Sequence, residues 1–243
     1  VRVCENLDAV ELEEEQILRM WRERFGDEVY RVVSSFLPVG REIIDYVAGA
    51  PGIAEEFMLA YVLDFYESGE YDRIVWDTAP AGGTLSLLRL EQTFYDHLGE
   101  AAALYLRVRG VLDRIKRGER SPLEIIEGWR ELLARTLSML RDPATGAFVV
   151  TIPEALGVLQ TRRIVRKLGS FGVRVAGIVV NGLITEEAAG QCPMLAERAE
   201  MQREYLRQIE EEFSDLEVTV LPLLPREVRG LDSLRRFSEL LVG

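Results

Sequence analysis

The sequence predicts an α/β protein with a doubly wound, mostly parallel sheet. Short apolar runs that fit buried strands alternate with longer segments whose apolar residues recur at helical spacing. Polar or proline residues follow these runs directly, where open α/β sheets place their ligand sites. Because strands that alternate with helices pair in parallel through right-handed crossovers, the pattern favours a doubly wound sheet.

Length and composition define the class of protein further. The chain has 243 residues, of which 48% are apolar, enough for one large or two small domains with a sizeable core. It contains neither an apolar run of the roughly 18 residues that a membrane span needs nor a secretory signal at its N-terminus. Cys4 and Cys192 form no disulfide framework. We therefore expect a cytoplasmic protein.

The charge of the chain argues against one class of partner. The formal net charge is −12 at pH 7, and such a field repels nucleic acids and anionic membranes. We therefore expect no nucleic-acid binding through the overall field, although a local basic groove stays open as an alternative.

The N-terminal part is predicted to be mostly helical. Its apolar residues recur at helical spacing, and Pro38 and Pro51 interrupt the pattern. The predicted helices cover residues 11–24, 29–37, 41–47 and 53–66, after an edge strand at residues 3–12.

The stretch around Asp77 is the most informative part of the chain. Residues 74–76 read as a short buried strand with Asp77 at its carboxyl end, and residues 78–83 form a small-residue loop that enters a helix. A carboxylate at a strand end before a glycine-rich turn suits an ion or a phosphate held by backbone N–H groups. An ordinary turn in which Asp77 caps the helix fits the same pattern.

The rest of the chain alternates between the two element types. Helical periodicity continues to residue 116, and Ser121 and Glu124 form a capping box with Pro122 at the first helical position. Strands are then predicted at residues 147–151, 175–181 and 217–221, and helices from Pro153 to Gly169, at 195–213 and at 231–241.

The residues that follow the predicted strands should meet at one edge of the sheet. Asp77, Thr151, Asn181 and Pro222 occupy these positions. A carboxylate, an amide and an apolar loop are suitable parts of a Mg-nucleotide site, binding metal water, a base edge and a base face respectively. For Asn181 a plain turn residue, and for the loop at Pro222 a rigid wall, are alternatives that the residues leave open.

Several motifs together carry a resemblance to a known family. The run Asp77-Thr-Ala-Pro-Ala-Gly-Gly-Thr-Leu85 resembles the second switch motif of the ArsA-like ATPases. That family includes the arsenite-pump ATPase and the ATPase that delivers tail-anchored membrane proteins. The similarity covers essentially the whole chain in the family's order, through residues 151–154, 179–184, 198–206 and 221–230.

The resemblance implies roles for residues of the switch stretch. It gives Asp77 the Walker B role, in which the carboxylate acts in catalysis by supporting Mg²⁺ through water. The switch loop, which senses the γ-phosphate of ATP, would include Thr78, Ala79, Pro80, Gly82 and Gly83.

The resemblance also implies roles for later residues and for partners. Asn181 is similar to an adenine-contacting asparagine, and Pro222 and Leu223 would lie beside the base. Glu154 resembles a catalytic glutamate that family dimers present to the nucleotide of the partner subunit. A homodimer, and a hydrophobic client or a membrane transporter as partner, follow as expectations.

The family fold sets the expected domain organisation. It is a parallel α/β nucleotide domain of the P-loop NTPase type with a helical subdomain inserted after the switch loop. We expect residues 1–243 to form one such domain, with the subdomain at about residues 87–142 and helices within residues 11–66 as candidates to join it.

The chain departs from the family pattern at the phosphate-binding loop. No Gly-Lys-Gly-Gly-Val-Gly-Lys-Thr sequence and no first switch are present, and the only lysines are Lys116 and Lys167. The first strand and helix of the sheet should be missing with them. Because positioning and electrostatics supply nearly all of phosphoryl-transfer catalysis, we expect negligible ATPase activity from this chain by itself.

Two functions follow from this departure. The chain is either an ATPase whose N-terminal section is absent from this sequence, or a natural non-catalytic relative that dimerises or holds a client. Zinc binding is not expected, because the family's Cys-x-x-Cys is here Cys192-Pro-Met-Leu195, and two thiolates across a dimer fall short of four ligands.

Overall fold

The computed structural model describes residues 1–78 and 120–242. The chain divides into two compact units, Val1–Met139 and Leu140–Gly243, which are described separately below. A parallel three-stranded sheet with helices confirms the predicted α/β class. The predicted helix of residues 84–116, and with it most of the predicted helical subdomain, lies outside the described residues.

The first unit is mostly helical. A short antiparallel hairpin replaces the longer edge strand that was predicted at residues 3–12. Its elements are β1 (Arg2–Cys4), β2 (Leu7–Asp8), α1 (Glu14–Ser34), α2 (Ile43–Ala48), α3 (Ile53–Ser68) and α4 (Pro122–Arg141), of which the last two residues fall in the second unit.

Helix α1 runs through both predicted helical segments without a break. Gly26, inside it, is buried, and a Cβ added there would lie 3.1 Å from Cγ2 of Ile44 in α2. The glycine therefore lets α2 approach the backbone of α1 closely. Around this contact a core cluster forms from Trp21, Val29, Ala48 and Phe57.

Helix α4 packs on α1 through apolar and polar contacts. Val32 of α1 shares a core cluster with Ile125 and Ile126. The indole Nε1 of Trp129 donates a hydrogen bond of 2.7 Å to Oε2 of Glu28. The predicted capping box is confirmed, because Ser121 N donates to Glu124 Oε2 at 2.6 Å and Glu124 N donates to Ser121 Oγ at 3.2 Å.

The predicted buried strand before Asp77 is wrong for this structure. Residues 73–78 form neither strand nor helix, and Val75 is 93% exposed. An apolar run becomes a buried strand only where a neighbouring strand pairs with it and other elements cover its faces. No described strand pairs with residues 74–76.

The second unit contains the parallel sheet. The strand order is β3-β4-β5, and both pairings are parallel. Its elements are β3 (Ala147–Thr151), α5 (Ala155–Phe171), β4 (Val175–Leu183), α6 (Glu186–Ala189), α7 (Pro193–Glu212), β5 (Val218–Pro222) and α8 (Gly230–Val242).

Two glycines define where α5 begins and ends. A Cβ at Gly157 would lie 2.2 Å from the carbonyl oxygen of Ile152, so the first turn packs directly on the chain that leaves β3. The helix ends at Gly172, which has a left-handed φ of 77° and donates its N–H to Gly169 O. The predicted end at Gly169 is therefore wrong, because that glycine lies inside the helix.

Strand β3 is buried on only one side. Val149 and Thr151 are buried, whereas Phe148 and Val150 are 66% and 65% exposed. The expectation of a strand covered on both faces fails here, since β3 is the edge of the described sheet. Strand β4 lies between two neighbours, and its residues 177–180 are buried.

The described helices do not meet the requirements of a membrane span. None of those in residues 1–78 and 120–242 combines the necessary length with a sufficiently apolar, uncharged sequence.

Candidate functional site

The carboxyl ends of the three parallel strands meet at one edge of the second unit. Thr151 of β3 pairs with Val180 of β4, and Val180 pairs with Val220 of β5. Asn181 therefore follows directly after Val180, the residue at which all three strands are paired. Pro222 pairs with Leu183 slightly further along, so the predicted strand-end residues of this unit lie at the same edge.

Asn181 presents its side chain to solvent at this edge. It is exposed, although the preceding residue Val180 is 0% exposed. Among the described residues its amide has no hydrogen-bond partner. An exposed amide with free donors and an acceptor can recognise the edge of a base.

Gln202 of α7 fixes the backbone that follows Asn181. It is 4% exposed, its Oε1 accepts a hydrogen bond of 2.8 Å from Ile184 N, and its Nε2 donates one of 3.2 Å to Gly182 O. Gly182, which lies between Asn181 and Ile184 in the chain, has a left-handed φ of 80°. Sequence reasoning gave Gln202 no role, although its position on the same helix face as Ala199 and Ile209 was an available signal.

Glu154 is the residue before the first turn of α5. Its carboxylate accepts a hydrogen bond from the guanidinium of Arg198 in α7, and the two side chains are 32% and 55% exposed. The carboxylate is thus engaged within its own chain. Because exposed ion pairs contribute only about 0–1 kcal/mol, Glu154 could exchange Arg198 for another partner at little free-energy cost.

The loop after β5 forms an apolar wall of the same edge. Pro222 ends the strand and is half-buried, and Leu223 is 58% exposed. Leu223 N donates a hydrogen bond of 2.8 Å to Leu183 O, which holds the start of the loop beside β4. An apolar wall next to an exposed amide fits the requirements of a flat base.

The remaining predicted site residues belong to the first unit or are not described. Asp77 and Thr78 are exposed and follow the irregular segment described above. Ala79, Pro80, Gly82 and Gly83 lie outside the described residues. The structure therefore places Asn181, Pro222 and Leu223 at one edge of the sheet. It places Glu154 before the first turn of α5, paired with Arg198.

Asp77 carries the predicted carboxylate for a metal ion and is exposed. The described residues contain no group of three or more His, Cys, Asp or Glu that could hold a metal. Mg²⁺ usually binds through one or two carboxylates together with phosphates and water. The single exposed carboxylate of Asp77 is compatible with that kind of site.

Comparisons with known proteins identify the class to which the chain belongs. The family model described as "Anion-transporting ATPase" matches residues 1–243. The chain therefore belongs to the ArsA-type anion-transporting ATPase family, and the resemblance inferred from its motifs is confirmed.

Individual relatives are about one third identical to this chain over the aligned residues. It is 32% identical over 203 residues to the ATPase GET3A of Arabidopsis thaliana, which covers 80% of this chain and 58% of that protein. It is 33% identical over 214 residues to the ATPase get3 of Botryotinia fuckeliana and to that of Neurospora crassa, covering 84% of this chain and 63% of each relative. The chain thus spans less than two thirds of the length of these relatives.

Proposed function

We propose that this chain is the nucleotide-recognising part of an ATPase that couples ATP binding and hydrolysis to anion transport or to the targeting of tail-anchored membrane proteins. Family membership supports this function. The observation that carries it is the shared edge of the parallel sheet, where an exposed Asn181 stands beside the apolar residues Pro222 and Leu223.

The proposed roles follow the chemistry of each side chain. Asp77 supports Mg²⁺ through water, and residues 78–83 respond to the γ-phosphate. Asn181 binds the adenine edge, while Pro222 and Leu223 contact its face. Glu154 leaves Arg198 to reach a nucleotide in a second copy of the chain, in a cytoplasmic homodimer that holds a hydrophobic client or docks on a membrane transporter.

A second candidate function is that of a natural non-catalytic relative. The 243 residues include no Gly-Lys-Ser/Thr phosphate loop, and the backbone N–H groups and lysine of that loop hold the β- and γ-phosphates in P-loop ATPases. A non-catalytic relative that dimerises or holds a client would not need it. The coding DNA upstream of Val1 separates the two: an in-frame Gly-Lys-Gly-Gly-Val-Gly-Lys-Thr supports the ATPase, and a stop followed by a start codon supports the relative.

The activity is tested on two forms of the protein. The 243-residue chain, and the same chain extended by the residues encoded upstream, are compared for binding of a fluorescent ATP analogue and for Mg-dependent phosphate release. We expect no hydrolysis by the shorter form and hydrolysis by the longer one. Measurable hydrolysis by the 243-residue chain would contradict the proposal that it needs a phosphate-binding loop that its sequence does not contain.

A variant tests the base-recognition role of Asn181. In the extended form, Asn181→Ala should weaken binding of the ATP analogue about tenfold, as expected for the loss of about one net hydrogen bond. Asn6→Ala is the matched control, because Asn6 is also exposed but belongs to the hairpin turn of the first unit. Equal affinities of the two variants would exclude Asn181 from the base site.

A further inference from the structure

The outward face of α5 carries an apolar and a basic half. Its buried residues Gly157, Val158, Thr161 and Leu168 face the rest of the second unit. On the opposite side, residues recur at intervals of three and four and therefore share one face of the helix. This surface, here called the α5 stripe, consists of Leu156, Leu159, Arg163, Arg166, Lys167 and Ser170.

Arg163, Arg166 and Lys167 form no ion pair with any residue that the structure describes. The adjacent Arg162 differs, because its guanidinium is paired with both carboxylate oxygens of Glu212 at 2.5 Å. That pairing chiefly holds the pKa of Glu212 below its ordinary value, and Arg166 makes only a smaller electrostatic contribution.

The three cations line a shallow, open depression on the surface of α5. It has a volume of about 380 Å³ and is lined by Arg163, Arg166, Lys167 and Ser170. Lys167 Nζ lies 4.8 Å from the ring centroid of Phe171. This contact is with an aromatic ring and not with an anion. A cluster of positive side chains on an open helix face is suited to carboxylate or phosphate oxygens.

A purely structural role accounts for only part of this arrangement. Cations near the C-terminus of a helix interact favourably with the helix dipole. That effect acts mainly within the last turn, which in α5 contains no basic residue, and it does not explain two leucines on the same face at the other end. Leu156 and Leu159 are 64% and 56% exposed. Apolar residues continuous with unpaired cations are typical of an interaction surface.

We propose that the α5 stripe docks an acidic amphipathic helix of a partner protein. From Leu156 to Ser170 the stripe is about 21 Å long at 1.5 Å per residue, which matches a partner helix of about four turns. The apolar turn of the partner packs on the leucines, and its Asp or Glu side chains pair with the three cations. This mode combines helix packing with local charge complementarity.

The net charge of the chain favours a peptide over a membrane surface. A membrane is an extended plane that the whole protein must approach, so the net charge of −12 opposes contact with anionic lipids. A single helix touches only the stripe. Charges further away than the Debye length of about 8–10 Å are screened from it at physiological salt.

The test measures peptide binding to the 243-residue chain. The probe is a fluorescein-labelled helical peptide of about 15 residues, with leucines in one end turn and glutamates at i, i+3, i+4 and i+7 beyond them. A peptide with lysines in place of the glutamates, and one with the order of the two halves reversed, are measured in parallel by fluorescence anisotropy. We expect the chain to bind one of the two glutamate peptides and not to bind the lysine peptide. The affinity for the glutamate peptide should fall as the salt concentration increases.

Charge reversal on the stripe provides the specific readout. The triple variant Arg163→Glu, Arg166→Glu, Lys167→Glu should lose at least tenfold in affinity, since three pairs become repulsive. The matched control reverses Arg19, Arg207 and Arg236, which are exposed elsewhere and change the net charge equally. If circular dichroism shows that the triple variant is misfolded, Arg166→Gln with Lys167→Gln replaces it, and a weaker loss of affinity is expected.

Three results would overturn the proposal. The first is equal affinity of the stripe variant and its control, and the second is equal binding of the acidic and basic peptides. The third is co-sedimentation with phosphatidylserine vesicles without peptide binding, which would make the stripe a membrane-binding surface.

Discussion

The side-chain oxygen of Gln202 accepts a hydrogen bond of 2.8 Å from the backbone N–H of Ile184. Its amide nitrogen donates to Gly182 O at 3.2 Å, so one buried side chain from α7 spans the end of β4. Asn181, the proposed adenine contact, immediately precedes this clamped segment. The clamp thereby limits the backbone positions that the proposed base site can adopt.

Removing the amide of Gln202 should destabilise the second unit. Gln202→Met keeps the length of the side chain but leaves the Ile184 N–H and the Gly182 carbonyl without these partners. We expect a loss of about 1–3 kcal/mol in the free energy of unfolding, measured by urea denaturation. Gln208→Met on the same helix is the control, because Gln208 makes no hydrogen bond to a described side chain or backbone group. Similar effects of both substitutions would disprove the clamp.

Alanine at two glycines of α5 should have opposite effects. Gly157→Ala places a Cβ 2.2 Å from Ile152 O, which forces the helix away from β3 and destabilises the fold by about 2 kcal/mol or more. Gly169→Ala meets no atom within 4 Å and should stabilise the helix by about 0.5–1 kcal/mol. Thermal unfolding of both variants tests this, and a neutral Gly157→Ala would show that α5 does not pack on β3 as described.

The half-buried carboxyl of Glu56 in α3 should make stability depend on pH. Burial raises its pKa from 4.5 to about 7, with a smaller contribution from Glu55. Between these values the folded state binds a proton that the unfolded state has released. The favourable contribution of Glu56 to the free energy of unfolding is therefore complete below pH 4.5, and it is lost as pH rises through about 7.

The variant Glu56→Gln isolates this effect. Relative to the unmodified chain, it should gain up to about 3 kcal/mol at about pH 8 and little at about pH 4, measured by urea denaturation at several pH values. Glu55→Gln, which removes only the smaller repulsion, should show a weaker trend. A difference between Glu56→Gln and the unmodified chain that is constant with pH would contradict the assignment.

The pair Arg162–Glu212 should couple more strongly than a solvent-exposed pair. Both oxygens of Glu212 accept from Arg162 at 2.5 Å, which links α5 to α7. Arg207 and Glu211 are 3.6 Å apart on one helix and about two thirds exposed, at 66% and 65%. Double-mutant cycles should give the larger coupling energy for the first pair. Equal coupling energies would mean that the bidentate geometry adds nothing in solution.

The pH dependence of the Arg162–Glu212 pair has the opposite sign to that of Glu56. Arg162 lowers the pKa of Glu212. Its contribution to stability is therefore present above the ordinary pKa of a glutamate and is lost as pH falls through the lowered value. Glu212→Gln should accordingly destabilise the chain at neutral pH and have less effect in acid, as measured by urea denaturation.

Local patterns predicted the second unit well. The strand at residues 147–151 was predicted with its observed bounds. In the first unit, the capping box at Ser121 and Glu124 likewise forms as expected. These features depend on neighbouring residues, on periodicity and on turn chemistry. The meeting of Thr151, Asn181 and Pro222 at one edge follows from parallel pairing, which the alternation of elements had indicated.

Features that depend on distant partners were predicted poorly. Residues 74–76 have the composition of a buried strand, but the described residues supply no strand to pair with them. Phe148 and Val150 look like core residues until the position of β3 at the edge is known. The ion pair of Glu154 with Arg198 and the hydrogen bonds of Gln202 join residues too far apart for a local pattern to reveal.

The uncharged edge of β3 has a consequence for the behaviour of this chain in solution. Ala147–Thr151 contains no lysine, glutamate or proline, and one of its sides has no strand partner within the described residues. Natural proteins place charged residues on edge strands, because an unprotected edge strand recruits strands from other molecules. Concentrated preparations of the 243-residue chain should therefore form oligomers in which sheets pair edge to edge, and Val150→Lys should keep the molecules apart.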